Sequence, residues 1–294
     1  MKTLTIIPSR LSATRLPGKP LLKINDLSII SHVFRKAQEA NLGEVFVATE
    51  DQEIVDDVTN NGGNAILTSR DHKTGTDRIY EALKKIDLKG IDLIMNLQGD
   101  EPAINIEDII SLNKKMINSK SKIGTLAAKI KDFKDLKNEN IVKVITEKNL
   151  DTDQFPEAKT FTRNSSNKDS IYHHIGIYCY SSVALEEFVK LNQSQNEIKN
   201  RLEQLRALDN NIKINNLSII SHVFRKAQEA NLGEVFVATE DQEIVEDVTN
   251  NGGNAILTSR DHKTGTDRIY EALKKINLKA VSYTHLTLPT KDSV

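Results

Sequence analysis

The chain has 294 residues, 38% of them hydrophobic and 28% charged, which is enough for one large domain or two smaller ones. Its 40 Lys and Arg residues against 41 Asp and Glu residues leave a formal charge of -1, which excludes a global field favouring nucleic acid or a membrane surface. The single cysteine excludes an internal disulfide framework, and without a membrane-length apolar run or a signal-peptide pattern we expect a cytoplasmic protein.

Residues 1 to about 214 alternate strand-like and helix-like segments, which predicts an α/β fold with a mostly parallel sheet. In chain order, strands are predicted for LTIIPS, EVFVATE, NAILTS, DLIMNLQ, TLAAKI, IVKVITE and HHIGIYCY. Helices are predicted for SIISHVFRKAQEAN, DQEIVDDVTNNGG and TGTDRIYEALKKI, the last capped by Thr74 or Thr76. Ligands of such sheets bind beyond the carboxyl ends of the strands, so the loops that follow the strands are the candidate site.

The segment from Lys23 to Lys89 returns almost unchanged from Lys213 to Lys279. Three positions differ, since Asp26, Asp56 and Asp87 become Asn216, Glu246 and Asn277. Solenoid repeats diverge and come in at least three copies, so two near-identical copies indicate another origin. The second copy also lacks the strand and loop that precede the first copy and the LIMNLQGDEP that follows it, which marks it as a fragment.

The chain ends in AVSYTHLTLPTKDSV, which resembles a translated sequencing-adapter tail. We therefore expect residues from about 215 onward to be an assembly or recombination artefact. Residues 1–214 would form the functional domain, residues 215–279 a poorly anchored βα appendage and residues 280–294 a disordered tail. A recent tandem duplication is the alternative, because recent origin also leaves two near-identical copies.

The first loop, in the stretch IIPSRLSATRLPGKP, combines cationic side chains with a stiff backbone. Arg10, Arg15 and Lys19 supply donors for phosphate oxygens, and a lysine can neutralise charge on a leaving pyrophosphate. Proline and glycine restrict the backbone and allow a ligand to approach closely. The loop predicts a polyphosphate site, with a solvated basic turn as the alternative; it is not a Walker P-loop, because GxxxxGK[ST] is absent.

A second loop, NLQGDEP, ends a predicted buried strand with a glycine followed by Asp100 and Glu101. A carboxylate in this position, opposite a basic loop, is where Mg²⁺ bridging phosphates is expected. An ordinary acidic turn facing water is the alternative for this loop taken alone. Together the two loops favour a nucleotide site in which Asp100 binds the metal.

The segments IIPSRLSATRLPGKP, HKTGTDR, LQGDEP, HHIGIY and LEQLR resemble the signature segments of the 3-deoxy-manno-octulosonate (Kdo) cytidylyltransferases, or CMP-Kdo synthetases. RLPGKP alone resembles the wider family of sugar-activating nucleotidyltransferases, and the other segments narrow it to the Kdo branch. The resemblance covers residues 1 to about 214 and implies a Rossmann-like nucleotidyltransferase fold. It implies that CTP and Kdo give CMP-Kdo and pyrophosphate with Mg²⁺, for lipopolysaccharide biosynthesis, in a cytoplasmic homodimer.

The resemblance also implies roles for individual residues. For catalysis it implies Lys19, Arg10 and Asp100, with Asp100 as metal ligand. For CTP binding it implies Arg15, His72, Gly75, Asp77, Arg78 and Gln98. For the acid sugar it implies Gln98, Arg163, His174, Glu203 and Gln204, with Arg206 in the same cluster. The alternatives are a helix cap for the segment 72–78, a surface ion pair between Glu203 and Arg206, and a core position for His174.

The chain departs from the family in two places. TFTRNSSNKDS keeps Arg163 but lacks the proline of the family's Ser-Arg-x-x-Ile-Pro segment, which keeps open another acid sugar such as amino-Kdo or a neuraminate. After Ile214 the duplicate replaces a strand and a Gly-Val-Asp-Thr segment, whose aspartate is the family's second magnesium ligand. We therefore interpret the chain as a truncated enzyme, with a catalytically impaired CTP-binding chain as the second hypothesis.

Overall fold

The computed structural model divides the chain into two compact units, Met1–Ile219 and Ile220–Val294. It describes residues 1–12, 16–86, 88–102, 104–130, 132–150, 153–166, 169–218, 234–250, 254–262 and 264–276. Arg15 and the predicted disordered tail lie outside the described residues. Across these ranges no helix is long and apolar enough to span a bilayer.

The first unit contains every strand and helix that the sequence predicts. Its strands are β1 (Lys2–Ser9), β2 (Lys23–Ile24), β3 (Leu27–Ser28), β4 (Val45–Thr49), β5 (Ala65–Leu67), β6 (Ile91–Asn96), β7 (Ile123–Lys129), β8 (Lys143–Thr146), β9 (Ala158–Thr162), β10 (Ile171–Ser181) and β11 (Ile214–Ser218). Its helices are α1 (Ile29–Glu39), α2 (Gln52–Asn60), α3 (Gly75–Lys85), α4 (Ile106–Ser119), α5 (Ser182–Val189), α6 (Gln195–Asn200) and α7 (Leu205–Asp209). The sequence reasoning missed the short β2 and β3, β9, β11 and the helices after α3.

The main sheet has the strand order β11-β7-β10-β6-β1-β4-β5, and β8 joins β10 to β9. Strand β1 pairs in parallel with both β4 and β6, β4 pairs in parallel with β5, and β11 in parallel with β7. The long β10 runs antiparallel between β6 and β7. The predicted α/β class with a mostly parallel sheet is confirmed.

Both faces of the central strands are buried. In β1, Leu4 and Ile6 belong to one apolar cluster and Ile7 to the other, and all three are fully buried. A parallel strand covered on both faces reads as a continuous apolar run, which is why β1 is recognisable in the sequence. The single cysteine, Cys179, lies fully buried in β10.

The beginning of the second copy takes a different structure from the beginning of the first. In the first copy KINDLS forms the hairpin of β2 and β3, with Asn25 and Asp26 at φ of +48° and +64° in the turn. In the second copy KINNLS contributes β11, which pairs with β7 in the main sheet and crosses the predicted boundary at residue 214. Five of the six residues are the same in both segments, so the surroundings of the segment contribute to the choice between hairpin and strand.

The described part of the second unit repeats the local structure of the first copy. It consists of β12 (Phe236–Thr239), α8 (Gln242–Asn250), β13 (Asn254–Leu257) and α9 (Gly265–Ile276). Strands β12 and β13 pair in parallel, with Val237 opposite Ala255, as Val47 lies opposite Ala65 in the first copy. The duplicated sequence therefore keeps its local pairing. Its interpretation as a poorly anchored appendage stays a prediction.

Candidate active site

Two adjoining cavities open at the carboxyl ends of the central strands of the first unit. One, the basic cavity, has a volume of about 330 Å³ and is lined by Arg10, Lys19, His72, Lys73, Arg78 and Asp100. The other, the amide cavity, has a volume of about 370 Å³, and its lining includes Asn96, Gln98, His174, Glu203 and Gln204. Gly75 and Gln98 line both cavities, so ligands in the two would be neighbours.

The ends of β1 and β6 bring cation and carboxylate together in the basic cavity. Arg10 follows β1, and Asp100 follows the neighbouring parallel strand β6. Lys19 begins a short 3-10 helix after Gly18, whose φ of +73° is one that glycine adopts readily. Lys19 Nζ lies 2.8 Å from Asp100 Oδ2, and both side chains stay partly exposed. The two loops singled out in the sequence therefore meet at this ion pair.

Gly99 allows the loop after β6 to pass close to β1. A Cβ at this position would lie 3.0 Å from the carbonyl oxygen of Pro8 and 3.0 Å from Ile30 Cδ1, tighter than normal contacts. A larger residue would push the loop outward, and with it the adjacent Asp100.

Arg78 lines the basic cavity, but its guanidinium is bound inside the protein. The residue is 3% exposed, forms an ion pair with Glu50 and donates to Thr68 Oγ1 at 2.6 Å. Glu50 follows β4 and Thr68 follows β5, so the guanidinium ties both strand ends to α3. This geometry supports a positioning role, and direct CTP binding by Arg78 stays a prediction.

His72 lies in the wall of the basic cavity and contacts the carboxylate of Glu81 on α3. Burial acts to raise the pKa of Glu81, but hydrogen bonds from Lys85, the Ser69 amide and His72 outweigh it and lower the pKa to about 2. The charged carboxylate therefore holds the segment that carries His72 against α3.

Asp77 belongs to the cap of α3, the alternative already weighed from the sequence. Thr74 Oγ1 accepts from the Asp77 amide at 3.3 Å and donates to Asp77 Oδ2 at 2.8 Å. Asp77 is not among the residues that line the two cavities. Gly75, two residues before Asp77, lines both cavities.

The amide cavity is lined mainly by polar groups without a formal charge. Gln98 Nε2 donates to the Gly176 carbonyl at 3.1 Å, which fixes its side chain between β6 and β10. Burial raises the pKa of Glu203, with partial compensation by hydrogen bonds from Thr76 and Thr74, and so favours its neutral form. Glu203 Oε1 is buried without a hydrogen-bond partner among the described residues.

His174 lies in β10 at the inner wall of the amide cavity. It is 7% exposed, and its Nε2 lies 3.0 Å from Thr125 Oγ1. Burial, with a smaller contribution from His173, lowers the pKa of His174 to about 3. The imidazole is therefore neutral at neutral pH, so it offers a hydrogen bond rather than a charge to a ligand.

We expect replacement of His174 by glutamine to reduce the acid sensitivity of the fold. The folded pKa of about 3 lies below the unfolded value, so the unfolded chain binds more protons between pH 6.5 and 3 and stability falls as the pH drops. From pH 7 to 5 this residue should account for about 2 kcal/mol of the loss. Urea unfolding at both pH values measures the difference, with replacement of His32 on α1 as the control. An unchanged pH dependence in the His174 variant would contradict the assignment.

The guanidinium of Arg163 is bound to backbone carbonyl groups. It donates to the carbonyls of Asn200, Glu139 and Arg201 at 3.1, 3.0 and 3.2 Å. It is not among the residues that line either cavity. The structure thus does not bring Arg163 to the other predicted sugar ligands, and its sugar contact stays a prediction without geometric support.

Arg206 is also used internally. Its guanidinium forms two hydrogen bonds to the Glu197 carboxylate, at 2.8 and 2.6 Å, and lies 4.7 Å from the centre of the Phe188 ring. These contacts join α7 to α6 and α5 and hold the turn that carries Glu203 and Gln204. Of the three predicted residues, Glu203 and Gln204 therefore line the amide cavity and Arg206 supports them.

Sequence reasoning missed two polar residues near the cavities. Asp51 Oδ2 accepts from the Leu11 amide at 2.7 Å and so holds the opening loop. Asn96, 3% exposed, lines the amide cavity. Period-two alternation along β6 places Asn96 on the same face as Gln98, which is the signal that could have found it.

Asp100 fits a magnesium ion that is shared with substrate phosphates. Mg²⁺ commonly uses one or two carboxylates and completes its shell with water and phosphate oxygens. Within the described ranges, no group of three or more His, Cys, Asp or Glu residues could hold a metal by itself. Asp100 by itself offers one carboxylate ligand to such an ion.

Comparison with known proteins finds strong similarity over the first unit. The family model described as Cytidylyltransferase matches residues 4–214 and again residues 210–287. A 3-deoxy-manno-octulosonate cytidylyltransferase of Rhodopseudomonas palustris (strain BisB18) is 44% identical over 216 residues, which is 72% of this chain and 87% of the relative. The protein of that name from Thermodesulfovibrio yellowstonii is 43% identical over 226 residues, 73% of this chain and 89% of the relative.

A solved structure agrees with these relatives. The structure of CMP:2-keto-3-deoxy-manno-octonic acid synthetase complexed with CTP superposes with a TM-score of 0.68 at 34% identity. The match covers 74% of this chain and 90% of that one.

Proposed function

We propose a reaction for this chain from the premise that it belongs to the cytidylyltransferase family, among the 3-deoxy-manno-octulosonate cytidylyltransferases. The chain is a nucleotidyltransferase that activates Kdo with CTP, giving CMP-Kdo and pyrophosphate. The observation that carries this proposal is the pair of cavities with a common wall at Gly75 and Gln98, one basic and one rich in neutral hydrogen-bonding groups.

The chemistry is an in-line displacement at phosphorus. The anomeric hydroxyl of the sugar attacks the α-phosphorus of CTP and loses its proton, while the bond from that phosphorus to the pyrophosphate oxygen breaks. Most of the rate enhancement comes from holding the two substrates in line and neutralising charge. A common wall between the cavities supports such an arrangement, because it allows the sugar and the α-phosphate to meet at Gln98.

The basic cavity is suited to the triphosphate. Arg10 and Lys19 line it with cationic donors, and Lys19 is the residue we assign to the leaving pyrophosphate. Asp100 would hold Mg²⁺ across the phosphates, and the ion when bound would supply further charge neutralisation. Asp100 forms an ion pair with Lys19, so a phosphate or metal bound at this point would compete with that pair.

The amide cavity is suited to a sugar acid. Gln98, His174 and Gln204 can donate or accept hydrogen bonds without charge, as a polyol requires. We further propose that the enzyme acts in the cytoplasm and as a homodimer, as the resemblance implies. The basis for both is the similarity to the family alone.

A second candidate function is CTP binding with little turnover. The family's second magnesium aspartate has no counterpart after Ile214, and in the described part of the chain no carboxylate cluster completes the site around Asp100. One metal carboxylate in place of two weakens binding of the ion. This candidate has the same fold and nucleotide site as the active enzyme and differs from it in the rate of CMP-Kdo formation.

Pyrophosphate release from CTP and Mg²⁺, measured with and without Kdo, separates the two candidates. We expect release that depends on Kdo, and a panel with amino-Kdo and neuraminate then identifies the preferred acid. Protein that binds CTP by calorimetry but releases no pyrophosphate with any sugar would identify the impaired binder. Failure to bind CTP would contradict both candidates.

A further inference from the structure

Asn96 is a nearly buried polar residue in the lining of the amide cavity. It is the last residue of β6, and its backbone pairs with Ile6 of β1 and Tyr178 of β10. Its side chain is 3% exposed and lines the amide cavity together with Gln98. It therefore lies between β1 and β10, at the point where β6 ends.

The side-chain oxygen of Asn96 has no hydrogen-bond donor. Among the described residues, Oδ1 is buried and makes no hydrogen bond. A buried acceptor without a donor costs about 1–3 kcal/mol, so native proteins retain one chiefly where a ligand or water completes it.

Asn113 on α4 is a buried asparagine whose side-chain oxygen is paired within the protein. It is 6% exposed, and its Oδ1 accepts from Thr3 Oγ1 at 2.8 Å. The protein can thus satisfy a buried asparagine within its core. The amide oxygen of Asn96, on a residue that lines the cavity, has no such partner among the described residues.

The chemistry of the missing donor follows from the rest of the cavity. Glu203 Oε1, in the same lining, is a second buried oxygen that makes no hydrogen bond among the described residues. Phosphate oxygens of the triphosphate act as acceptors at neutral pH, so they cannot pair with the amide oxygen of Asn96, which also only accepts. A polyhydroxylated ligand carries several O–H donors, any of which could pair with the amide oxygen of Asn96.

We propose that Asn96 is a specificity-determining residue whose amide oxygen accepts a hydrogen bond from a hydroxyl group of the bound sugar acid. This inference rests on the proposed function of the amide cavity. A site built to pair a hydroxyl leaves a buried group unsatisfied when that hydroxyl is absent, so it discriminates strongly against deoxy analogues. Asn96 thereby makes the ligand-free protein less stable and the sugar complex more selective.

The test compares Asn96→Leu with Asn113→Leu as the matched control. Calorimetry first measures the affinity of each variant for CTP. A second titration measures the affinity for Kdo with the protein saturated by CTP, in EDTA so that no turnover occurs. We expect Asn96→Leu to weaken Kdo binding about tenfold or more and to leave CTP binding unchanged. Its melting temperature without ligand should rise by about 2 °C or more, because the unpaired oxygen is removed. Asn113→Leu should lower the melting temperature and leave both affinities unchanged.

If Asn96 had a purely structural role, Asn96→Leu would lower the melting temperature instead of raising it. Asn96→Leu with wild-type Kdo affinity, or with reduced stability and loss of both ligands, would overturn the inference. Wild-type protein that binds CTP but no Kdo would overturn the proposed function and the inference with it. Single-deoxy analogues of Kdo then identify the hydroxyl, because one of them should bind the wild type and Asn96→Leu equally well.

Discussion

Replacing Lys19 by methionine is expected to lower the rate of pyrophosphate release by at least about 100-fold, with a smaller effect on the affinity for CTP. Methionine keeps most of the length of the side chain and removes the charge. The Lys19 ammonium lies 2.8 Å from Asp100 in the basic cavity, so it is within reach of phosphates bound across that carboxylate. A cation that acts on the leaving group contributes mainly when charge develops there, and its loss therefore falls on kcat.

Steady-state kinetics with CTP varied at saturating Kdo measure the effect. Lys23→Met is the matched control, because Lys23 is an exposed lysine on β2 four positions further along the chain. The control should behave like the wild type. Unchanged kcat in Lys19→Met would mean that this lysine only pairs with Asp100, and the leaving-group role would have to pass to another cation such as Arg10.

Replacing Asn216 by aspartate is expected to destabilise the first unit by about 3 kcal/mol or more, a fall in melting temperature of about 6 °C. Asn216 is fully buried in β11, and its side-chain amide donates to the Pro156 carbonyl at 3.4 Å. A carboxylate would bury a charge and place an acceptor oxygen against that carbonyl. The change restores the residue that the first copy has at the matching position, Asp26.

The reciprocal change, Asp26→Asn, provides the control. Asp26 is exposed in the turn between β2 and β3 at φ of +64°, a conformation that asparagine adopts at least as easily as aspartate. Its stability should stay within about 0.5 kcal/mol of the wild type. Thermal unfolding of both variants tests the pair, and equal melting temperatures would show that β11 contributes little to the main sheet.

The two copies also show which strands can be predicted from the sequence and which cannot. The seven predicted strands are correct, because each is a short apolar run, and in the central strands burial on both sheet faces strengthens this local signal. β11 was missed because the same six residues, apart from Asn216, form a turn in the first copy. Its strand conformation depends on the open edge of β7, which is a tertiary property.

The candidate site divides in a similar way. The approach of Lys19 and Asp100 could be anticipated, since both follow strand ends that a parallel sheet brings to one edge. The internal partners of Arg163 and Arg206 could not, because a cation's sequence neighbours do not reveal which distant carbonyl or carboxylate it meets. Asn96 was missed because its significance lies in a hydrogen bond that the folded protein leaves unmade.

Cys179 is the chain's only cysteine, and the rate at which its thiol reacts can report how often the main sheet opens. The side chain is fully buried in β10 between β6 and β7, and burial raises the pKa of the thiol well above its ordinary value. A thiol reagent can react only after these strands separate and the thiolate forms. The rate at which a thiol reagent labels Cys179 therefore reports how often the strands separate. A ligand bound at the strand ends should lower this rate by the factor by which it lowers the population of the open sheet.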